Sequence, residues 1–281
     1  MPLGVGVRVL LSWGWSVRYP GLSAGGPSLP LPPPSTLVGA LSRGIAKIVK
    51  QGEITEIKIG RKSLHASTTY VYARQLLAAG VRLAETSSIV GSAPNVVAAP
   101  TRVMQRILQH PYMRPENRKN MDMAFGVEAF GLVMAPSALM EILLVFKDQI
   151  LDLVDRKTLL AGALSISYVG AKESLVTVLD AKVGNVSEMT GGETMYYAPL
   201  EAVKEKDRAL GFAIPFWDPR DPSAYAPSRK LAKKMEFLIP TGSEGRITTL
   251  IIPPRVGVEL KDNWRSYTLD GYGTVASLGG D

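Results

Sequence analysis

The 281-residue sequence predicts an α+β fold, and three observations support this class. Hydrophobic residues make up 46% of the chain and charged residues 20%, a composition typical of a globular protein with a sizeable core. The first two thirds contain alternating apolar segments typical of strands, and segments with apolar residues three and four positions apart, typical of helices. The last third contains short strand-like segments separated by prolines.

The first predicted strand covers residues 3–11, where apolar residues occupy every second position. A loop rich in glycine, proline and serine follows over residues 12–34 and ends in three consecutive prolines. Ser35 or Thr36 is then expected to cap a helix, because apolar residues follow at spacings of three and four. These apolar positions are Leu37, Leu41, Ile45 and Ile48.

The middle of the chain predicts further sheet elements, with an insertion between them. The insertion covers residues 87–120, which combine small residues, prolines and basic residues. The remaining segments are a strand at 54–59, a Thr/Tyr/Val run at 67–72, a strand at 124–134, an apolar run of either type at 138–146, a helix at 155–166 that starts at Asp155, and a strand at 173–183. The order strand, helix, strand, strand, helix, strand is ferredoxin-like, and it is also the layout of RNA recognition motifs.

From about residue 184 the pattern changes to short strands interrupted by prolines. The candidate strands are 195–200, 210–217, 235–240 and 246–253, with a hairpin loop at 241–245. We therefore predict a ferredoxin-like domain over residues 1–185 and a smaller β-rich C-terminal lobe over residues 186–281.

The net charge of +7 is distributed unevenly along the chain. Residues 1–120 carry 15 basic and 4 acidic residues, a net charge of +11, whereas the remainder carries 17 basic and 21 acidic residues, a net charge of −4. No acidic residue precedes Glu53, and none lies between Glu85 and Glu116. This pattern indicates a polyanionic partner for the first part and protein neighbours for the second.

The insertion is strongly basic, with Arg102, Arg106, His110, Arg114 and Arg118 at every fourth position and Lys119 after them. We expect the first three to share one face of a helix, and the prolines at 111 and 115 predict a loop over 111–119. Such an arm suits phosphate contacts more than base stacking, because Tyr112 is its only aromatic residue. A solvated surface stripe is the alternative interpretation.

Motif searches exclude several enzyme classes. The sequence has no cysteine, Walker loop, dinucleotide fingerprint, nucleophile elbow or His-Glu-x-x-His motif, so it predicts no cofactor and no metal site. Metal-free RNA cleavage stays open, because His65 with Lys62 and Tyr70, or His110 with Tyr112 and Arg114, supply suitable residue types. The N-terminus lacks the features of a secretory signal and no apolar run has membrane-spanning length, so we expect a cytoplasmic protein with no membrane partner.

Two parts of the sequence resemble the Cas-five family of CRISPR-associated RAMP proteins. The first is WSVRYP at 15–20 followed by LPPPSTLVGAL at 31–41, which resembles the family's opening strand, loop and first helix. The second is VGAKESLV at 169–176, similar to a Gly-Ser-Lys-Glu-Ser segment of archaeal members, with Ala171 at the position of the small serine. Together they span the ferredoxin-like part.

The resemblance implies an archaeal ribonucleoprotein of antiviral defence: a subunit of a type I Cascade complex, most like type I-A, that holds the 5′ handle of the crRNA. It implies that the protein caps the Cas-seven backbone subunits and contacts the large Cas-eight subunit. Target DNA would be contacted only indirectly, through the complex. It further implies that residues 87–120 form a thumb that presses on the guide. A non-catalytic role is expected, because only the type I-C branch processes precursor RNA. A type I-C-like endonuclease and the equivalent type III subunit remain alternatives.

The helix N-terminus at Ser35 and Thr36 suits an anion such as a handle phosphate. Trp15 and Tyr19, in the preceding loop, offer rings for base stacking. The predicted RNA-contacting residues are Trp15, Arg18, Tyr19, Ser35, Thr36, Arg43, Lys47, Arg102, Arg106, His110, Arg114, Arg118, Lys119 and Lys172.

Overall fold

A computed structural model of the chain describes residues 1–20, 26–59, 62–84, 99–108, 125–171, 174–226, 232–241 and 256–279. For residues 59, 62, 99–108 and 125–130 the description is limited to the backbone. The central element is an antiparallel sheet of four strands: β1 (Leu3–Leu11), β5 (Leu76–Ala84), β8 (Leu139–Phe146) and β9 (Val176–Asn185). Their order across the sheet is β5-β8-β1-β9.

Two helices, α1 (Pro34–Val49) and α3 (Arg156–Leu164), pack against each other and against one face of this sheet. The apolar positions Leu37, Leu41 and Ile45 of α1 are buried there together with the alternating valines of β1. The helices approach closely where Gly44 meets Gly162, because a Cβ on Gly44 would collide with the carbonyl oxygen of Gly162. We call this side of the sheet the helix face.

The opposite side of the sheet, the lobe face, is covered by strands from the C-terminal part of the chain. These strands are β10 (Ser187–Thr190), β16 (Arg265–Leu269) and β17 (Gly273–Ala276), paired in the order β10-β16-β17. Gly4 and Gly6 of β1 leave room for them, since a Cβ on Gly6 would lie 2.6 Å from the ring of Tyr272. The lobe face is therefore filled by protein side chains.

The remaining elements form smaller units around the central sheet. The short helix α2 (Thr69–Ala73) follows the hairpin of β3 (Ile54–Ile59) and β4 (Lys62–Ser67). Strands β2 (Gly14–Trp15), β7 (Phe125–Met134) and β6 (Ala99–Leu108) form a sheet in that order. In the C-terminal part, β11 (Glu193–Thr194) pairs with β15 (Val258–Glu259), and β12 (Ala198–Pro199), β14 (Lys234–Pro240) and β13 (Gly211–Trp217) form a sheet in that order. Turns of 3-10 helix cover 148–152, 200–202, 205–210 and 222–225.

The strands predicted at 3–11, 124–134 and 173–183 are confirmed as β1, β7 and β9, and the apolar run at 138–146 contains β8. The helix predicted at 155–166 is α3, and Asp155 caps it by accepting a hydrogen bond of 2.9 Å from the Thr158 N–H. The cap predicted for α1 is wrong. Pro33 occupies the N-cap position, so Ser35 and Thr36 lie inside the first turn.

The helix predicted to carry Arg102 and Arg106 is also wrong, because both residues lie in strand β6. This strand pairs with β7 over ten residues, so long-range backbone hydrogen bonds outweigh a local spacing that also fits a helix. The other predicted basic positions of the insertion, from His110 to Lys119, lie outside the described residues. The Thr/Tyr/Val run at 67–72 leads into helix α2.

In the C-terminal part, the strands predicted at 210–217 and 235–240 are β13 and β14, whereas 195–200 contains only the two-residue β12. The candidates at 246–253 and most of 241–245 lie outside the described residues. The predicted boundary at 185 falls between β9 and β10, and the core of the helix face continues across it through Ile214, Phe216 and Phe237. No helix among the described residues is long and apolar enough to cross a membrane.

Candidate nucleic-acid interface

An open groove of about 1340 Å³ runs along α1. Residues 16–19, the β3–β4 hairpin, β13, β14 and the 222–225 turn also contribute to its lining, and this turn contacts the hairpin. Hydroxyl groups, aromatic rings and three basic side chains line it. This combination is the one by which proteins contact the riboses, bases and phosphates of single-stranded RNA.

All three segments that carry the family resemblance meet at this groove. The Ser16 N–H donates a hydrogen bond of 3.0 Å to Ser174 Oγ, and the Ala171 N–H donates one of 3.0 Å to the Ser16 carbonyl. These bonds join segment 15–20 to segment 169–176, and Gly170 turns between them with a φ of +111°. Segment 31–41 supplies the start of α1, which forms the groove floor.

Helix α1 is divided into two faces by its residue sizes. Leu37, Val38, Leu41 and Ile45 pack into the core, whereas Ser35, Gly39, Ser42 and Ala46 line the groove at helical spacing. A Cβ on Gly39 would come no closer than 4.0 Å to Thr69, so this glycine leaves open space in the groove. The floor of the groove is thus shallow enough for a ligand to approach the helix backbone.

The groove is positively charged. Its basic side chains are Arg18, Arg43 and Lys234, and Glu53 is the one carboxylate among the described residues that line it. Arg43 lies over the ring of Tyr168, 4.5 Å from the centroid, and its Nη1 is 3.9 Å from Glu53 Oε1. Because the Arg43 side chain is 48% exposed, this ion pair leaves the guanidinium accessible.

Aromatic side chains from several elements line the groove. Tyr19 is half-buried, and burial raises the pKa of its phenol. In the C-terminal part, the Tyr225 ring lies 5.8 Å from that of Tyr70, and Lys234 Nζ lies 5.3 Å above the ring of Trp217. The groove therefore offers aromatic rings next to cations at two places, Arg43 with Tyr168 and Lys234 with Trp217.

Of the residues predicted to contact RNA, five line the groove: Arg18, Tyr19, Ser35, Thr36 and Arg43. The prediction for Trp15 is wrong, because this side chain is fully buried and its Nε1 donates to the Leu29 carbonyl at 3.0 Å. Lys47 lies one turn beyond Arg43, outside the groove lining, with its Nζ 3.3 Å from Ser167 Oγ. The side chains of Arg102 and Arg106 are not described, and His110, Arg114, Arg118, Lys119 and Lys172 lie outside the described residues.

Four aromatic or basic residues of the groove were not predicted: Tyr168, Trp217, Tyr225 and Lys234. Tyr168 directly precedes the second family-like segment, and this adjacency is the one signal that could have identified it. The other three belong to the C-terminal part, whose net charge of −4 indicated protein neighbours. Trp217 and Lys234 are opposite each other only because β13 and β14 pair in this register.

A second group of charged residues crosses the lobe face, one from each strand of the central sheet. In this ion ladder, Arg82, Glu141, Arg8 and Asp180 are neighbours in register. Glu141 is buried and accepts hydrogen bonds of 2.7 Å from the Nε atoms of Arg8 and Arg82. The hydrogen bond with Glu141 raises the pKa of Arg8.

Two tyrosine rings pack against the arginines of this ladder. Arg8 lies over the Tyr272 ring at 4.7 Å and Arg82 over the Tyr196 ring at 5.2 Å. The Tyr272 hydroxyl donates a 2.9 Å hydrogen bond to Asp180. Burial raises the pKa of both phenols well above the usual range. The arginines of the lobe face are thus paired within the protein.

Comparisons with known proteins identify the relatives of this chain. No family model matches it. The chain is 30% identical over 208 residues to the CRISPR-associated protein Cas5 2 of Saccharolobus solfataricus, covering 71% of this chain and 69% of that protein. It is 28% identical over 192 residues to the CRISPR system aCascade subunit Cas5 1 of the same organism, covering 68% of this chain and 70% of that protein.

A solved structure shows the same fold. The crystal structure of a CRISPR protein from Archaeoglobus fulgidus superposes with a TM-score of 0.55 at 22% sequence identity, covering 99% of this chain and 100% of that chain. The first relative is 30% identical over more than two thirds of both sequences. The protein therefore belongs to the CRISPR-associated Cas5 family, the Cas-five family that its sequence segments resemble.

Proposed function

We propose that the protein is a non-catalytic RNA-binding subunit of a CRISPR effector complex, and that it holds the 5′ handle of the crRNA in the groove along α1. The observation that carries this proposal is the convergence of the three family-like segments on one groove with three cations and a single lining carboxylate among the described residues. One relative is named as an aCascade subunit, and we propose that this complex is a type I Cascade, most like type I-A.

Each chemical part of RNA finds a matching group in the groove. Phosphates match Arg18, Arg43 and the start of α1, where the helix dipole favours anions. The hydroxyls of Ser35 and Thr36 match the ribose 2′-hydroxyl, which can donate and accept hydrogen bonds. Bases match the exposed parts of the aromatic rings.

The fold supports the same proposal. The antiparallel order β9-β1-β8-β5, with α1 between β1 and β5 and α3 between β8 and β9, is the order expected of a ferredoxin-like domain. RNA recognition motifs bind RNA on the sheet face opposite the helices, but here that face carries the C-terminal strands. The groove on the helix side is therefore the proposed RNA site.

We further propose that the β6–β7 hairpin, together with the residues between its strands, is the thumb of the family. Its strands pair from Ala99 with Met134 to Leu108 with Phe125, and residues 109–124 connect them in the sequence. This segment contains the basic positions from His110 to Lys119. In the same proposal, Cas-seven and Cas-eight subunits are the protein neighbours, and target DNA is contacted through the complex.

Replacing Arg43 by alanine tests the groove, with Lys47→Ala as a matched control. Arg43 lines the groove and Lys47, one helical turn further, does not. Anisotropy of labelled crRNA should show weaker binding by Arg43→Ala, with a log–log salt slope reduced by about 0.7 for the lost phosphate contact. Lys47→Ala should bind like the parent protein. Equal effects of the two substitutions would contradict the groove assignment.

The thumb needs a separate test, the triple replacement of Arg102, Arg106 and Arg114 by alanine. If all three contact phosphates, the salt slope should fall by up to about 2. An unchanged affinity and slope would exclude the thumb assignment but leave the groove assignment intact.

A metal-independent endonuclease is the second candidate, because His65 on β4 is exposed and lines the groove. We expect no specific cleavage when the purified protein is incubated with repeat RNA and EDTA. Specific cleavage that disappears in His65→Ala would replace the non-catalytic proposal with this one.

A further inference from the structure

We infer that the C-terminal lobe forms the second wall of the RNA groove and that Trp217 and Lys234 contact the RNA directly. The inference rests on the proposed function and extends it, because the charge distribution of the sequence assigns RNA to the first part of the chain alone. It names two binding residues in the part whose net charge is −4.

The two residues form one unit on the surface of β13 and β14. They are cross-strand neighbours, and Lys234 Nζ lies 5.3 Å above the Trp217 ring. Trp217 is half-buried and Lys234 is exposed. Among the described residues, Lys234 forms no ion pair, so its ammonium group is available to a phosphate. A ring beside an unpaired cation suits a base with its adjacent phosphate.

The core holds this wall in position. Phe216, next to Trp217 in β13, and Phe237, three residues after Lys234 in β14, are fully buried. Their rings lie 5.2 Å apart, and each lies within 5.5 Å of the Tyr197 ring. Tyr197 in turn donates a hydrogen bond to the carbonyl of Pro32, in the segment before α1. The lobe wall and the α1 wall are thus linked through one packed cluster.

The part of α1 that lines the groove is shallow. Ser42, a serine of this lining, is only 3% exposed. Gly39, about one turn earlier, leaves the space above the helix open. A sugar–phosphate chain could therefore approach the backbone of α1 at this turn.

The size and charge of the groove favour a polymer segment over a small metabolite. Its volume of about 1340 Å³ exceeds the roughly 300–1000 Å³ typical of small-molecule pockets. Its one lining carboxylate among the described residues, Glu53, is 79% exposed at the side chain and lies next to Arg43. The groove therefore suits single-stranded RNA with several negative charges.

The test uses the full-length protein and labelled crRNA with four substitutions. Trp217→Leu should weaken binding about tenfold by removing a stacking ring, whereas Trp217→Phe should retain most of the affinity. Lys234→Ala should reduce the log–log salt slope by about 0.7, and Lys233→Ala, the exposed neighbour outside the groove lining, should not. Quenching of tryptophan fluorescence by RNA should decrease in Trp217→Phe even though this variant still binds.

The outcomes separate this inference from the proposed function. If the parent protein fails to bind crRNA, or if Arg43→Ala binds as well as Lys47→Ala, the proposed function itself is contradicted. If Arg43→Ala weakens binding but Trp217→Leu and Lys234→Ala bind like the parent, the lobe wall alone is overturned. Circular dichroism checks that each variant folds. If Trp217→Leu does not fold, the fluorescence of Trp217→Phe decides whether Trp217 contacts RNA. Quenching by RNA equal to that of the parent protein would overturn this contact.

Discussion

The two sides of the central sheet carry similar residues in opposite states. On the lobe face, Arg8 and Arg82 share the buried Glu141 and lie under the rings of Tyr196 and Tyr272. On the helix side, the groove along α1 also combines arginines with tyrosines, but Arg43 is half-exposed and its ion pair with Glu53 is long. One side is closed by the protein and the other is open to a ligand.

The difference shows that an arginine or lysine is available to a ligand only where other parts of the protein do not cover it and pair with it. Arg8 is on the most basic part of the sequence, yet its guanidinium is committed to Glu141 and Asp180. Lys234 lies in the part with a net charge of −4, yet among the described residues it forms no ion pair. We therefore predict that lobe-face substitutions affect stability and that groove substitutions affect RNA binding.

The largest expected effect is from Glu141→Ala. Removing this carboxylate leaves two arginines near a buried site without their shared partner, which typically costs about 3–5 kcal/mol. Urea unfolding followed by circular dichroism should show a loss of this size, while crRNA affinity at a temperature where the variant is folded stays unchanged. A loss below about 1 kcal/mol would mean that the ladder contributes little to closing the lobe face.

A pair of glycine substitutions in α1 separates packing from binding. Gly44→Ala introduces a methyl group that collides with the Gly162 carbonyl, so we expect a loss of about 1–3 kcal/mol in unfolding free energy. Gly39→Ala introduces the same methyl into open space and should raise helix stability by roughly 0.5–1 kcal/mol. The two variants should therefore move the midpoint of urea unfolding in opposite directions.

Gly39→Ala also tests the groove itself. Its methyl group narrows the space above α1, so crRNA binding should weaken by a few-fold although the protein becomes more stable. Tighter or equal binding, measured by anisotropy beside Gly44→Ala at a temperature where both are folded, would show that RNA does not approach this turn of the helix.

A smaller effect should appear at alkaline pH. Burial raises the pKa of Tyr196 and Tyr272, so the folded protein keeps phenol protons that the unfolded chain loses near pH 10. The contribution of these two phenols to the unfolding free energy should therefore be fully present below about pH 9 and decrease as pH rises above 10. Tyr272→Phe should show a shallower decrease than the parent in urea titrations at pH 8 and 10.5. Parallel decreases would show that Tyr272 is not a source of this dependence.

The sequence predicts strands in which apolar residues occupy every second position, and helices that are capped by a residue at their own start. Strand β1 and helix α3 with its Asp155 cap are of this kind. Strand β6 could not be predicted, because its basic residues at intervals of four fit a helix and only pairing with β7 makes it a strand. Strand β5 is buried on both faces and contains small residues, so it lacks the alternation that marks a half-exposed strand.

The sequence predicts only those residues of the candidate site that lie in or next to recognisable local segments. Arg18, Tyr19, Ser35, Thr36 and Arg43 lie in or next to segments that resemble the Cas5 family, and the structure brings them to one groove. Trp15 lies in the same segment but points into the core, which residue type cannot reveal. Trp217 and Lys234 required the fold, since their contact depends on strand register and on the packing of the lobe beside α1.

Photo-crosslinking of the protein to crRNA with 4-thiouridine in the handle tests the contrast between the two sides most directly. We predict crosslinked peptides that contain the groove residues Tyr19, Tyr168 or Trp217, and none that contain Tyr196 or Tyr272 of the lobe face. Crosslinks at Tyr196 or Tyr272, with the groove peptides unmodified, would show that RNA binds the closed side and would contradict the account.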